Sequence, residues 1–501
     1  MKCHDLFIIG GGINGVGIAR DAAGRGLDVA LCEQHDLASH TSSASTKLIH
    51  GGLRYLEDYE FRLVRKALVE REILLHNAPH IIWPLRFVLP HHGGLRPKWM
   101  LRLGLLLYDL LGGRSSLPRT RRVNLGAGEF AGQLQPDFSD GFAYSDCWVE
   151  DARLVALNAL DAAERGAKIM THTRCIDIRR DLEPAGGQWR IRLAAPDGTT
   201  REVCSRMLVN AAGPWSGELS RRIRADGSAS PVRLVSGSHI VVPQVYSGDH
   251  AFLFQSGDGR VAFAIPYEHH YTLIGTTEQA VGDPDQSPAI SAEEQYYLCA
   301  LASDYFARPV READIVWSYS GIRALYDDQA ESMSETTRDY VLELDHRDGV
   351  AALSVLGGKL TTYRKLAEDA LARLEPFAPG MGGKWTADTP LPGGDFEPDA
   401  FDRKLRGYCG RYPFLGAGVV CRMLRAYGTR LERIVAQANA IEQLGEDFGC
   451  GLYEAELRYL VDHEFAVDAE DVLWRRSKLG LHMRPEQRER VTAWFRARNE
   501  G

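Results

Sequence analysis

Asp5-Leu-Phe-Ile-Ile-Gly-Gly-Gly-Ile-Asn-Gly15 is the stretch on which the reading of this chain turns. Its apolar run, stopped by glycine, reads as a buried strand. Gly10 to Gly15 then match G-x-G-x-x-G. From Val16 to Arg25, alanines and apolar residues recur at helical spacing, and Gly26 ends that helix. Leu27 to Cys32 is a second strand, with Glu33 at its end. Each part has a mechanical reason. Gly10 permits a tight turn, Gly12 lets the backbone approach a pyrophosphate, and Gly15 lets helix and strand pack closely. The helix start turns free N–H groups and partial positive charge toward phosphates. Glu33 stands where a carboxylate accepts hydrogen bonds from an adenosine ribose. The strand–helix–strand–acid order makes this a dinucleotide site; alone it does not separate FAD from NAD.

Outward from it, Thr41-Ser-Ser-Ala-Ser-Thr-Lys47 gathers hydroxyls, Ser43 and Ser45 among them, around Lys47. They suit phosphate or ribityl oxygens, and the alternative is a polar surface loop. His50-Gly51-Gly52-Leu53-Arg54-Tyr55 follows, its glycines able to lie against a flat ring system. Phe61, Val64, Leu68 and Leu75 form one helical stripe. Asp151 is a candidate N-cap for a helix reaching about Arg165. The strand at Met207–Asn210 runs into Ala211-Ala212-Gly213, a turn small enough to pass a bound cofactor. Residues 232 to 280 read as β-rich, and His239 sits in one of those strands. Another strand meets Gly321-Ile322-Arg323. Near 351 the opening pattern recurs: an apolar strand, the turn Gly357-Gly358-Lys359-Leu360-Thr361, then a helix. A helix start there suits the pyrimidine end of a flavin, where reduction leaves negative charge. This favours FAD over NAD. Residues 378–397, rich in Gly and Pro, read as a linker to a helical domain.

The 501 residues carry a net charge of -8, which speaks against nucleic acid as a partner. Nine cysteines without CxxC spacing read as reduced thiols, no metal site is indicated, and no leader precedes the first strand. Leu101–Leu111 is too short to span a bilayer and is broken by Arg102 and Asp109. Arg96, Lys98, Arg114, Arg119, Arg121 and Arg122 flank it, with Trp99 and Tyr108. That composition suits a helix lying on an anionic bilayer, or a buried helix with solvated ends.

Gly10–Gly15, Thr41–Tyr55, Gly237-Ser-His-Ile240, Ser320-Gly-Ile-Arg323 and Gly357–Tyr363 together resemble the FAD-dependent glycerol-3-phosphate dehydrogenases, and most of all their aerobic, respiratory members. The resemblance covers nearly the whole chain, with one departure: Ala324 stands where proline is expected. It implies the D-amino-acid oxidase-like fold, α/β plus α+β. A discontinuous Rossmann-like FAD-binding domain (1–70, 145–220, 315–388) would carry an inserted β-rich substrate domain (71–144, 221–314) and a C-terminal helical cap (389–501). The cofactor implied is FAD. The site implied for it comprises Gly10, Gly12, Asn14, Gly15, Glu33, Ser43, Ser45, Lys47, Gly51, Gly52, Ala212, Gly213, Gly321, Gly358, Lys359, Leu360 and Thr361. The reaction implied is oxidation of sn-glycerol 3-phosphate to dihydroxyacetone phosphate. The partners implied are membrane quinone, the lipid of the cytoplasmic leaflet and a second copy in a homodimer, at the inner face of the cytoplasmic membrane. A phosphate dianion calls for cations, and Arg54, Arg323 and Lys359 are the candidates, with Tyr55 beside them. The proton of the substrate hydroxyl calls for a base: His50 or His239, with Arg323 or water as the remaining choices. Oxygen in place of quinone, an amine or amino-acid oxidase on the same fold, and a flavin-bound protein without turnover are the alternatives.

Overall fold

Cys3–Ile9 runs parallel to Val29–Cys32 on one side and to Thr200–Asn210 on the other. This is the arrangement that a short apolar run, a glycine turn and a crossover helix impose. The structure is a computed structural model describing residues 3–183, 187–224, 226–257, 259–327, 339–347 and 349–500. Lys168–Met170 and Val350–Leu356 extend the parallel sheet at its two sides, and Val341–Arg347 adds an antiparallel edge. Ile13–Gly24, Asp151–Glu164 and Tyr363–Leu374 pack together over one core, built from Leu6, Val16, Leu31, Leu157, Val209 and Leu366. The first helix begins at Ile13, three residues before the spacing of apolar residues alone suggests. The Asp151 helix is capped at Glu150 instead, and Asp151 is its first residue.

A second sheet contains ten strands. Ile82–Pro90 pairs antiparallel with Asp140–Val149, and Ala251–Gln255 joins it in parallel. Chain on both sides of the 168–210 segment therefore shares one sheet. Val232–Pro243 lies between Tyr271–Gly275 and Trp317–Tyr326 over its second half. The strand Trp317–Tyr326, read above with the FAD-binding segments, is thus hydrogen-bonded into this sheet along ten residue pairs. Leu48–Ile49 also joins it. Phe61–Asn77 buries Val64, Leu68 and Leu75 on one stripe, while Phe61 is exposed at its start.

The C-terminal helices have their own core, with Met423, Leu424, Leu457, Val472 and Val491 fully or almost fully buried. Buried ion pairs tie them to the rest. Arg153 holds Glu464, and Arg476 grips Asp36 with two nitrogens at 2.6 and 2.7 Å while Arg475 reaches the same carboxylate. Burial alone would raise the Asp36 carboxyl, but the charges and hydrogen bonds of Arg476 and Arg475 hold it below its ordinary value. That stabilisation is fully present above the unfolded value of about 3.9 and is lost as pH falls through the lower folded value. Asp36→Ala would leave the buried Arg476 guanidinium without its carboxylate and take one of two carboxylates from the half-buried Arg475, so a loss of about 3–5 kcal/mol is expected. Thermal unfolding at pH 7 checks this: the variant should melt well below the parent, and the gap should close as pH falls below 4.

Candidate active site

The turns that follow three parallel strands meet at one edge of the first sheet. Gly10, at φ 116°, passes so close to the Ala211 carbonyl that a Cβ would come within 2.3 Å of its oxygen. A Cβ on Gly15 would lie 1.9 Å from the Gly10 carbonyl oxygen, so the helix start sits directly on the turn. The N–H of Ile13 donates to Ser42 Oγ at 3.0 Å. The Asn14 amide donates to the Gly357 carbonyl at 3.2 Å, linking the two glycine turns across 343 residues. Glu33 is buried and accepts from the N–H groups of Gly11 (2.7 Å) and His35 (2.9 Å). Burial pushes its carboxyl up, and those N–H groups partly offset the shift. A carboxylate has about four lone-pair sites, and Glu33 lines the cleft with those its backbone partners leave open.

One continuous cleft of about 380 Å³ runs from Glu33 to the second glycine turn. Gly10, Gly12, Ala212 and Gly213 line it toward Glu33, Asn14 stands against the second glycine turn, and Ser45, Gly358, Leu360 and Thr361 line it there as well. A long, bent cradle with small residues at its waist and two helix starts on its walls fits a dinucleotide such as FAD.

At the far end, strand register assembles the polar groups. His239 lies opposite Tyr319 on one side and Gly275 on the other. Alternation along the strands carries Gly237, Gly321 and Arg323 into the same cleft. The His239 ring stacks on Tyr319 (4.8 Å between centroids, 16°), and Nε2 meets Thr46 Oγ1 at 3.0 Å. Burial, with Lys47 and Arg323 nearby, pushes its pKa down to about 3. Arg323 is held by Glu278 at 3.2 Å and by the Thr277 carbonyl at 3.4 Å. Lys359 places its ammonium 3.7 Å from the centre of the Tyr55 ring. His50 also lines the cleft, with its N–H on Thr361 Oγ1 at 3.2 Å. Burial lowers its pKa, Lys359 and Arg71 add to this, and Asp146 opposes it.

Several residues expected at the cofactor sit elsewhere. Lys47 is fully buried, at φ 59°, and its ammonium holds both oxygens of Asp151 at 2.8 and 2.9 Å and the Ser43 carbonyl at 3.1 Å. The expectation that Lys47 meets phosphate or ribityl oxygens is corrected: a dry ammonium needs a carboxylate, and Asp151 supplies one. Ser43 points back to the His40 carbonyl, and Ser42 and Thr46 face the cleft from the same run. Gly51 is backed by Tyr108, whose hydroxyl accepts its N–H at 2.8 Å, and neither Gly51 nor Gly52 lines the cleft. Arg54 is exposed outside it. The sequence reading missed Arg174, Trp215 and Arg222, which line the end near Glu33. Trp215 follows the small-residue turn and was within reach of that reading; the two arginines carry no local signal.

A family model described as FAD dependent oxidoreductase matches residues 5–364. A second, described as the C-terminal domain of alpha-glycerophosphate oxidase, matches residues 384–495. The glycerol-3-phosphate dehydrogenase of Pseudomonas aeruginosa is 50% identical over 99% of this chain and 96% of its own length. The D-erythritol 1-phosphate dehydrogenase of Brucella abortus is 49% identical over 98% of this chain and 97% of its own. The structure of the glycerol-3-phosphate dehydrogenase from Bacillus halodurans, complexed with FAD, superposes with a TM-score of 0.75 at 26% identity, covering 99% of this chain and 94% of that one.

Glu33→Ala removes the acceptor for the Gly11 and His35 N–H groups and a carboxylate that lines the cleft. FAD should then bind roughly tenfold to a hundredfold more weakly, the effect of losing charged hydrogen bonds. Fluorescence titration of flavin-stripped protein measures this, and full flavin loading at the parent's affinity would refute the contact.

Proposed function

This chain belongs to the FAD-dependent oxidoreductase family, and from that premise we propose that it oxidises a small polyol phosphate, sn-glycerol 3-phosphate foremost, at its secondary hydroxyl. The product is then dihydroxyacetone phosphate. Bound between the two glycine turns, with Glu33 at one end and the Leu360–Thr361 turn at the other, FAD would supply the hydride acceptor for the C2 hydrogen. The observation that carries the reading is the grouping at the far end of the cleft: two cations, Arg323 and Lys359, beside two histidines, His50 and His239. Arg323 grips phosphate oxygens with two N–H groups, exchanging its bond to Glu278 for the dianion. Lys359 adds a point charge, and the Tyr55 ring under its ammonium sets its direction. A neutral imidazole presents one donor and one acceptor nitrogen. His239, held neutral far below physiological pH, orients the substrate hydroxyl. His50 is the stronger candidate for the base that takes its proton.

A second substrate is favoured by one finding. The erythritol phosphate relative is as similar as the glycerol phosphate one, so a four-carbon polyol phosphate belongs in the same assay. An amine or amino-acid oxidase needs a carboxylate clamp only, and two cations suit a dianion better. For the acceptor we propose quinone, with oxygen as the alternative. The test is anaerobic addition of glycerol 3-phosphate, which should bleach the flavin absorbance, followed by reoxidation with quinone or air. Arg323→Ala should raise KM about 30-fold or more while leaving the flavin bound, because it removes about 2 kcal/mol of phosphate binding. Flavin that stays yellow with every polyol phosphate would refute the reading, and an unchanged KM would remove Arg323 from it.

We also propose that Lys98–Leu111 rests on anionic lipid. No helix among the described residues is long and apolar enough to cross a membrane. This one buries Leu105 and Tyr108 inward, yet Trp99, Leu103, Leu106 and Leu110 are 48–66% exposed along the opposite stripe. Arg102, Arg114 and Arg119 are exposed around it. Apolar residues on both faces, rimmed by arginine, suit an interfacial helix. Sedimentation with anionic vesicles should carry the parent down and leave Leu103→Glu/Leu106→Glu/Leu110→Glu in solution; equal sedimentation of the two would refute the assignment.

A further inference from the structure

His239 is the inner end of a row of rings that begins in the C-terminal domain. Trp317 and Tyr319 are two residues apart on one strand, so their side chains share a face. Register sets Tyr319 opposite His239 and Trp317 opposite Val241. The ring centroids follow at 4.8 Å from His239 to Tyr319, 5.2 Å from Tyr319 to Trp317, and 4.9 Å from Trp317 to Trp474. The interplanar angles are 16°, 43° and 27°. Trp474 belongs to the helical turn Asp471–Arg476, which packs with the C-terminal core and carries the arginines that hold Asp36.

The row is braced along its length. Tyr319 donates its hydroxyl proton to the Ser45 carbonyl at 2.8 Å, and the Lys47 ammonium stands 5.1 Å from its ring centre. Lys478 donates to the Trp474 carbonyl and lies 6.0 Å from the Trp317 ring. At the inner end the imidazole has little freedom. A Cβ on Gly275 would come within 2.2 Å of His239 Cδ2, so bare backbone forms one wall of its slot, and Thr46 meets Nε2. Strand pairing fixes where the Cβ of His239 lies but leaves the ring free to turn about χ2, a broad twofold rotor. The slot and the stacked Tyr319 remove that freedom.

We infer that Trp474 is a positioning residue for the reaction: through Trp317 and Tyr319, the C-terminal domain sets the orientation of the His239 ring in the cleft. This rests on the reading of His239 as a group that meets the substrate. It gives the C-terminal domain a part in turnover although none of its described residues lines the cleft. A 1 Å misplacement of an orienting group far from the reacting bond is enough to lower a rate by about a hundredfold.

The test uses the FAD-loaded full chain with ring-¹³C histidine, the His239 signal being assigned by its absence in His239→Asn. Trp474→Ala should move the His239 Cε1–H resonance. It should also lower kcat about fivefold or more with KM and flavin content within about twofold of the parent, the signature of an interaction made in the transition state alone. Trp474→Phe, which keeps a ring in the row, should restore both. An unmoved His239 resonance, or a kcat loss that phenylalanine does not recover, would overturn the inference. If the alanine variant does not fold, Tyr319→Leu read against Tyr319→Phe asks the same question one ring closer, with the same two outcomes. Full activity of His239→Asn would overturn the reading of His239 itself, while the resonance shift would still report on the row of rings.

Discussion

Ile9, Cys32, Asn210 and Ser354 lie side by side across four parallel strands, so the loops that follow them leave the sheet at one edge. Parallel pairing with helical crossovers places ligands at that edge, because every strand ends there with its carboxyl side outward. Residues 10–15, 211–215 and 357–362, far apart in the chain, become neighbours for this reason. The Asn14 amide on the Gly357 carbonyl is the direct link between the two glycine turns. Without the common edge neither turn has a partner, and the cleft has only one wall.

The second sheet brings its own groups to the far end of that cleft by a different rule. The strands that carry these groups pair antiparallel, so register and alternation decide which side chains point inward. Gly237 and His239 on one strand, and Gly321 and Arg323 on the next, face the cleft together. Ser238 and Ser320 face the other way and meet each other at 2.8 Å behind it. A one-residue slip between these strands would move the histidine and the arginine out of the site and the serines in. The buried Lys47–Asp151 pair lies beneath this junction, tying the hydroxyl-rich run to the helix that starts at Asp151. Its lysine also lowers the proton affinity of His239. A residue that reads as a phosphate ligand therefore acts on the site as a fixed charge beneath it.

Buried ion pairs hold the C-terminal helices, which have a core of their own, to the rest of the chain. Asp36, just after the Glu33 strand end, takes two arginines from the C-terminal helices. The same helical turn presents Trp474 to Trp317. The C-terminal helices thus grip both the dinucleotide-binding side and the strand that faces His239.

The strand–glycine–helix–acid order around Gly10 and Glu33, and its recurrence near Gly357, were legible from residue type and spacing alone. They are local rules: φ above zero at a turn, free N–H groups at a helix start, an acid one strand away. Gly10, Gly12, Glu33 and Lys359 could be named that way because their neighbours in the chain dictate their geometry. What the chain order could not contain is which distant group satisfies a buried charge or covers a ring. Lys47 turned to Asp151, 104 residues on, because an ammonium out of water must find a carboxylate. Arg174 and Arg222 reach the cleft, and Tyr319 and Trp474 reach His239, through pairings set between strands and domains. Those depend on register and packing over long separations, and only the tertiary structure decides them.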